Sequence, residues 1–441
     1  MRTTSRVTLL VAGIAGIGLI APTAATTGAQ AGAGKEKPPQ PRHVVYDEFA
    51  SVADFSAGSF DGTAPTSEGL QITDPVGQRD YTDPFGDGST TTYDFGTWTS
   101  PVVSPGFDYT ELISSWNAAT PADTWIEVNV RGTAETGATS KWYVLGRWAS
   151  SDKDLHRTSV SGQRDELATV LVDTLATVND HTFADWQLRV ELYRAAGTTG
   201  TPSVRSVGAM ASQLPDVKKV QASPSGGAVG KVLDVPKYSQ ETHIGQYPEY
   251  DSGGEAWCSP TSTAMVVDFW DAGPTDHPYP EGYGWVLDDD PTIADPWVDH
   301  AARQVFDYTY DGAGNWPFNT AYAATRGLEG FVTRLRSLTE AEQFIKAGIP
   351  LIVSVSFKKG ELDGAGYGTN GHLMVIVGFA ANGDVVVNDP ASHLIPSNDQ
   401  VRFTYDREQF ENTWIPHSGG VAYVIHPSSV SLPDAPDEAN W

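Results

Sequence analysis

Residues 124–132 read TWIEVNVRG, and their hydrophobic period is two: Ile126, Val128 and Val130 fall on one side, Glu127, Asn129 and Arg131 on the other. That period belongs to an extended chain with one buried face. A helix repeats its faces every ~3.6 residues and cannot carry it. WQLRVELYR (186–194) repeats the pattern, with Leu188, Val190 and Leu192 set against Arg189 and Glu191. KWYVLGRW (141–148) and ATVLVDTLATV (168–178) are further strand candidates, separated by turns rich in Gly, Thr and Asp. Residues 44–214 are therefore expected to form an all-β domain, an antiparallel β-sandwich of jelly-roll type.

The pattern breaks at PDVKKVQASPSGGAVGK (215–231), whose Pro, Gly, Ser and Lys content reads as an interdomain linker. Residues 232–427 mix helical and strand patterns and predict a second, α+β domain, and residues 428–441 form a polar tail. At the other end, Arg2 and Arg6 flank the start of a 14-residue apolar run (7–20), and Ala29-Gln30-Ala31 follows as an A-x-A site. This predicts a signal peptide over 1–31 and a linker over 32–43. The run is shorter than the ~20 residues a membrane span needs. The processed chain is expected to be secreted and free of the membrane. Its net charge of −27 repels phosphate backbones, which argues against a nucleic-acid partner.

Secretion sharpens the meaning of Cys258, the single cysteine of 441 residues. Secreted proteins normally pair their cysteines. Alone, Cys258 is a small buried apolar group, half of an intermolecular bridge, or a nucleophile awaiting a histidine. Its setting is EAWCSPTSTAMVVDFW (255–270), where Met265, Val266, Phe269 and Trp270 share one helical face. Pro260 suits the first turn, and Ser259 or Cys258 the cap. Cys258 then sits at a helix N-terminus, where the dipole and free N–H groups favour negative charge on sulfur.

Among the histidines, His277, His300, His417 and His426 have ordinary loop or end settings. His372 stands in GYGTNGHLMVIVGF (366–379), after a Gly-rich loop and directly before a strand. AANGD (380–384) predicts a two-residue Asn382-Gly383 turn. The returning strand 385–387 runs into Asn388-Asp389-Pro390. A histidine and a carboxylate so placed are a candidate base and orienter. Such a tight hairpin opposes Asp389 to Ile376, roughly 13 Å from His372 in a flat ladder. Contact requires strong twist or a bend, and a one-residue slip would bring in Asn388 instead. VLDVPKYSQ (232–240) reads as a short strand ending at Gln240, whose amide N–H can stabilise an oxyanion. Trp316, Phe318 and Tyr322 suit either a substrate cleft or the core. LDDDP (287–291) lacks the spacing of a calcium loop, so no metal is expected there.

Taken in order, LDVPKYSQ, WCSPTSTAMVVDFW, GHLMVIVGF and VVVNDPA resemble a secreted, papain-like cysteine peptidase. The nearest match is cysteine peptidase family thirty-nine, whose better-known members trim leader peptides during bacteriocin export. The resemblance covers 232–427. It implies a helix carrying the nucleophile, packed on an antiparallel sheet carrying the base. It also implies Cys258 as nucleophile, His372 as base, Asp389 as orienter and Gln240 as oxyanion donor. Two departures stand out: Ser259 replaces the usual Gly, and ETHIGQYPEYDSGGEAW between Gln240 and Cys258 is long for the family. No segment reads as a transporter, so leader export is not implied. The expected function is a secreted cysteine hydrolase cleaving amide bonds of a peptide or protein, without metal or organic cofactor. The sandwich would be accessory, with a carbohydrate or cell-wall component as its candidate ligand. The alternatives are transglutaminase-like acyl transfer or cell-wall amide hydrolysis on the same triad, and a non-catalytic protein binding carbohydrate or a cell surface.

Overall fold

The computed structural model describes residues 41–153, 155–273, 286 and 289–441. The expected signal peptide, His277 and part of the 287–291 stretch lie outside the described residues.

The N-terminal half is two antiparallel sheets. One has seven strands, with Glu111–Ala119 and Ser203–Gln213 at its centre. The other has six, centred on Asp185–Ala195 between Thr90–Thr99 and Thr124–Thr133. The predicted inward residues Ile126, Val128, Val130, Leu188, Val190 and Leu192 are all buried, as are Trp98, Trp116, Trp148 and Trp186. Burying each such side chain stabilises the sandwich by about 1.5–3 kcal/mol or more. One expected strand divides. Residues 168–178 form a hairpin of Ala168–Leu171 and Thr174–Thr177, turning at Val172-Asp173. Val172 occupies the left-handed region at φ 59°, a position usually given to glycine, so the turn carried no sequence signal.

The C-terminal half holds a six-stranded antiparallel sheet. Its order is Glu329–Arg334, Val421–His426, Leu351–Phe357, Thr369–Phe379, Val385–Asn388 and Arg402–Tyr405. The helix Cys258–Phe269 packs with Leu373, Val375 and Val377, and the helices Leu338–Ala347 and Arg407–Ser418 pack with Met374 and Ile376. The central strand is buried on both faces, which is why its sequence does not alternate. The cysteine helix is itself enclosed rather than amphipathic: Ser259 to Val267 are all buried. Two of its polar residues find partners on neighbouring elements, Ser262 Oγ donating to Leu373 O at 3.2 Å and Thr263 Oγ1 to Asn319 Oδ1 at 3.1 Å, while Thr261 Oγ1 is buried without one. Residues 232–240, expected as a strand, run extended with Leu233 N–H donating to Val377 O at 2.8 Å, and only Val232 makes a ladder bridge.

The two halves share one continuous core. Phe318 meets Trp116 and Trp148 of the sandwich at 6.1 and 5.4 Å between ring centroids. Phe318 and Tyr322 are buried, which settles them as core rather than cleft. The edge strand Glu329–Arg334 faces Glu111–Ala119. Its Gly330 and Val332 N–H groups donate to Asn117 Oδ1 at 2.9 Å and Ser115 Oγ at 2.8 Å. Sheet edges are otherwise templates for aggregation, so these side chains cover one. Residues 215–231 lie along the second domain, with Val220, Ser223 and Ala228 N–H groups bonded to Asn412, Glu411 and Glu342 at 2.8, 2.7 and 2.7 Å. The C-terminal stretch is also docked: Asn440 is buried and Trp441 packs on Phe344 at 4.9 Å.

Candidate active site

Cys258 is the first residue of its helix. Trp257 is the cap, in place of Cys258 or Ser259, and no side chain bonds the helix end. The first-turn N–H groups are therefore open to an anion. Cys258 is half-buried. Ser259 turns inward, its hydroxyl 2.9 Å from that of Tyr423, so its side chain is spent on packing rather than on the cleft.

His372 and Asp389 meet. Nε2 of His372 donates to Asp389 Oδ1 at 2.9 Å, and both side chains are buried. Two adjustments bring them together. The hairpin loop has three residues, 381–383, with Gly383 at φ 91° and Ala380 N–H donating to Asp384 O at 2.8 Å, in place of the two-residue turn expected. A bulge then shifts the register between Ile376 and Gly378, so Asn388 opposes Val375. Continued by one residue, that register sets Asp389 opposite Met374, two positions from His372, within the reach of diagonal side-chain pairs across a sheet. Asn388 points the other way, donating to Pro236 O at 2.8 Å and accepting from Arg402 Nε at 2.9 Å.

The Cys258 thiol lies near enough to the imidazole to strengthen its hold on a proton. With Nε2 given to Asp389, Nδ1 is the nitrogen left for sulfur. Burial alone would lower the pKa of His372. The hydrogen bonds and charges of Asp389 and Cys258 outweigh it and push the pKa up to about 10. Burial would raise the Asp389 carboxyl, yet His372 and Tyr367 hold it below its ordinary value. Tyr367 and Tyr405 hydroxyls donate to Asp389 Oδ2 at 2.8 and 3.1 Å, and Ala391 N–H to Oδ1 at 3.0 Å. Sequence reasoning missed both tyrosines. Tyr367 lies in the Gly-rich loop before His372, the one place a signal existed, while Tyr405 ends a strand that nothing linked to the site.

Gln240 opens a short 3-10 turn, Gln240–His243. Its N–H donates to Pro390 O at 2.8 Å, which ties it to Asp389, and its Nε2 donates to Glu255 O at 2.7 Å, which ties it to the loop before Cys258. One Nε2 hydrogen remains, and Oε1 is buried without a donor. The long segment from Glu241 to Trp257 folds back on itself. A Cβ on Gly254 would come within 2.3 Å of the His243 carbonyl carbon, so only glycine fits there. His243 Nδ1 pairs with Asp299 Oδ2 at 3.0 Å, both buried, and pins the loop to the helix Pro296–Val305.

The sandwich also reaches this region. Asp173, in the unforeseen hairpin turn, accepts from Trp316 N–H at 2.9 Å and so caps the helix Trp316–Thr325. Burial pushes its pKa up to about 6. Its charge acts on Tyr310 and Tyr423, as does that of Cys258.

Residues 232–421 match the Peptidase_C39 like family, and residues 45–212 match the Peptidase C39 N-terminal domain. The likeness thus extends to the sandwich and is not confined to the C-terminal half, as the sequence motifs alone implied. No curated protein matches the chain. Among solved structures, one similarity is to carbohydrate-binding modules from the β-sandwich superfamily: 8% identity over 36% of this chain and 56% of that chain, TM-score 0.16. Another is to the CBM22-1–GH10 modules of the Clostridium thermocellum xylanase 10B with xylohexaose: 10% identity over 47% of this chain and 31% of that chain, TM-score 0.14.

Proposed function

We propose that this chain, whose halves match the N-terminal domain of peptidase C39 and a C39-like peptidase family, is a secreted cysteine hydrolase with a papain-like catalytic domain that cleaves amide bonds in peptides. The observation that carries the reading is the buried His372 Nε2–Asp389 pair at 2.9 Å, with Cys258 at the start of its helix near enough to raise the imidazole's hold on a proton. His372 Nδ1 takes the thiol proton, and sulfur attacks the carbonyl carbon. The oxyanion is received by the Cys258 backbone N–H and the remaining Gln240 Nε2 hydrogen. His372 returns its proton to the leaving amine, and water then releases the acyl group from sulfur. No step needs a metal or organic cofactor.

A fluorogenic peptide library read against Cys258→Ala and His372→Ala tests this. Turnover should vanish in both, with folding retained by circular dichroism. In the wild type, iodoacetamide should label Cys258 in the folded state. Labelling seen only after denaturation would make Cys258 a packing residue and sink the hydrolase reading.

For the sandwich, the proposed ligand remains a carbohydrate or cell-wall component. Trp142, half-buried just before the strand Tyr143–Trp148, packs under the Arg131 and Arg189 guanidiniums, 4.6 and 4.7 Å from its ring, a mixed polar and aromatic surface against which a sugar would pack. Loss of polysaccharide pull-down in Trp142→Ala is the expected result.

A further inference from the structure

We propose that His243 and Asp299, a buried pair outside the triad, are positioning residues that hold the Gln240 amide at the distance the oxyanion needs. This rests on the hydrolase reading above and adds two residues to its machinery.

His243 closes the 3-10 turn that Gln240 opens, and its side chain and that of Asp299 are both 0% exposed. Nδ1 of His243 stands 3.0 Å from Asp299 Oδ2 and 3.1 Å from Gln246 Oε1. Among the described residues, no hydrogen bond of good geometry reaches either oxygen of Asp299 or Nε2 of His243. The pair is therefore held by proximity of charge rather than by a closed set of hydrogen bonds. Polar groups at that depth are costly. Apolar side chains of similar volume are usually as stable in such a place, so packing alone gives no reason for the pair.

What the pair supplies is position. The helix Pro296–Val305 packs against the cysteine helix, and it holds the Gln240 turn at both ends. At the end of the turn the hold is Asp299 on His243. At its start, Asn398 Nδ2 donates to Asp295 Oδ2 at 2.7 Å, and Asn398 Oδ1 accepts from Ser239 N–H at 2.8 Å. The turn lies backbone to backbone on the residues that lead into Cys258. A Cβ on Gly254 would come within 2.5 Å of His243 O and 2.6 Å of Gln240 O. Glu255 O then takes one Gln240 Nε2 hydrogen at 2.7 Å, and Trp257 caps the cysteine helix. Among the described residues that is the one hydrogen bond of the Gln240 amide, since Oε1 has no donor. Its aim therefore depends on the turn that carries it. A misplacement of about 1 Å at a reacting centre can cost about 10²-fold in rate.

The test measures kcat and KM on the fluorogenic peptides, beside the rate at which iodoacetamide labels Cys258. Alkylation forms no oxyanion, so it reports the thiol and His372 without the Gln240 amide. His243→Ala and Asp299→Ala, folded by circular dichroism, should each lower kcat by about tenfold or more, up to the roughly 10²–10³ expected of Gln240→Ala, with KM and the labelling rate within about twofold of wild type. His243→Asn, whose amide N–H takes the place of Nδ1, should recover most of the loss. In a Gln240→Ala background the same changes should cost less than about twofold more, because the donor they aim is already gone. If a single variant does not fold, His243→Leu with Asp299→Ala removes both partners and strands neither charge, and it should show the same loss of kcat. A folded variant of the pair with wild-type kcat overturns the positioning role and leaves the hydrolase standing. So does a labelling rate that falls in step with kcat, or a full further loss in the Gln240→Ala background. Absence of Cys258-dependent turnover in the wild type removes the hydrolase and this role with it.

Discussion

The two walls that flank Cys258 are finished in opposite ways. On the His372 side every polar atom has a partner: Asp389 takes four donors, from His372, Tyr367, Tyr405 and Ala391, at 2.8–3.1 Å. On the Gln240 side, the buried Oε1 of Gln240 has no donor. A fully satisfied buried network holds one geometry, because each bond fixes the next. An acceptor left open at similar depth leaves its wall without such a lock. The difference separates a wall held in one geometry by its hydrogen bonds from one that is not.

The largest effect expected from breaking that contrast is at Asp389. Asp389→Ala strands two tyrosine hydroxyls and the His372 N–H in a buried site. It should cost about 3–5 kcal/mol of stability, read from the urea midpoint, together with most turnover. Asp389→Asn keeps an acceptor for the imidazole and should lose less of both. Full activity in Asp389→Ala beside an inactive Asn388→Ala would move the orienting role to Asn388 and refute the assignment.

Gln240→Ala should behave differently. As an oxyanion donor Gln240 should contribute roughly 10²–10³ in kcat. Because its wall is not a closed network, its stability cost should be well below that of Asp389→Ala. Equal losses of stability at the two positions would erase the distinction between the walls.

How far the sequence reached follows the same division. The strands 124–133 and 185–195 were legible because one face of each packs in the apolar core and the other carries polar residues, which writes a period of two, although Glu127, Asn129 and Glu191 on the polar face are buried as well. Cys258, His372, Asp389 and Gln240 were legible as motifs; the structure joins His372 to Asp389 and ties Gln240 to Pro390 and Glu255, the neighbours of Asp389 and of the Cys258 helix. The hairpin at Val172-Asp173, the bulge near Val377 and the inward turn of Ser259 were not. Each depends on a partner far along the chain: Trp316 for Asp173, the bulged register for Asp389, Tyr423 for Ser259.

A pH titration sharpens the comparison. His372 is raised from its ordinary 6.5 to about 10, so its stabilising contribution is complete below about 6.5 and is lost as pH rises through 10. Asp389 is lowered, so its contribution is present above its ordinary 3.8 and is lost as pH falls below that. The wild type should hold a plateau of stability between about pH 4 and 6.5, with an alkaline decline that runs from there to about pH 10. Asp389→Ala should draw the alkaline edge down, while Gln240→Ala should leave it in place. A Gln240→Ala shift as large as that of Asp389→Ala would couple the walls.

The smallest effect is expected at Tyr405. Its hydroxyl and that of Tyr367 both donate to Oδ2 of Asp389, at 3.1 and 2.8 Å. Tyr405→Phe removes the longer bond and leaves the shorter, so the carboxylate keeps its charge and its hold on His372. A hydrogen bond to a charged group contributes about 1.5–3 kcal/mol, and the low end is expected where a second donor stays on the same oxygen. Turnover should stay within a few-fold of wild type, and the alkaline edge should barely move. The double variant with Tyr367→Phe strips Oδ2 of both hydroxyls. It should cost more than the two single changes combined, because the first loss is buffered by the remaining donor. Simple additivity in that cycle would mean the two tyrosines act independently, and the satisfied wall would then be a set of separate contacts rather than a network.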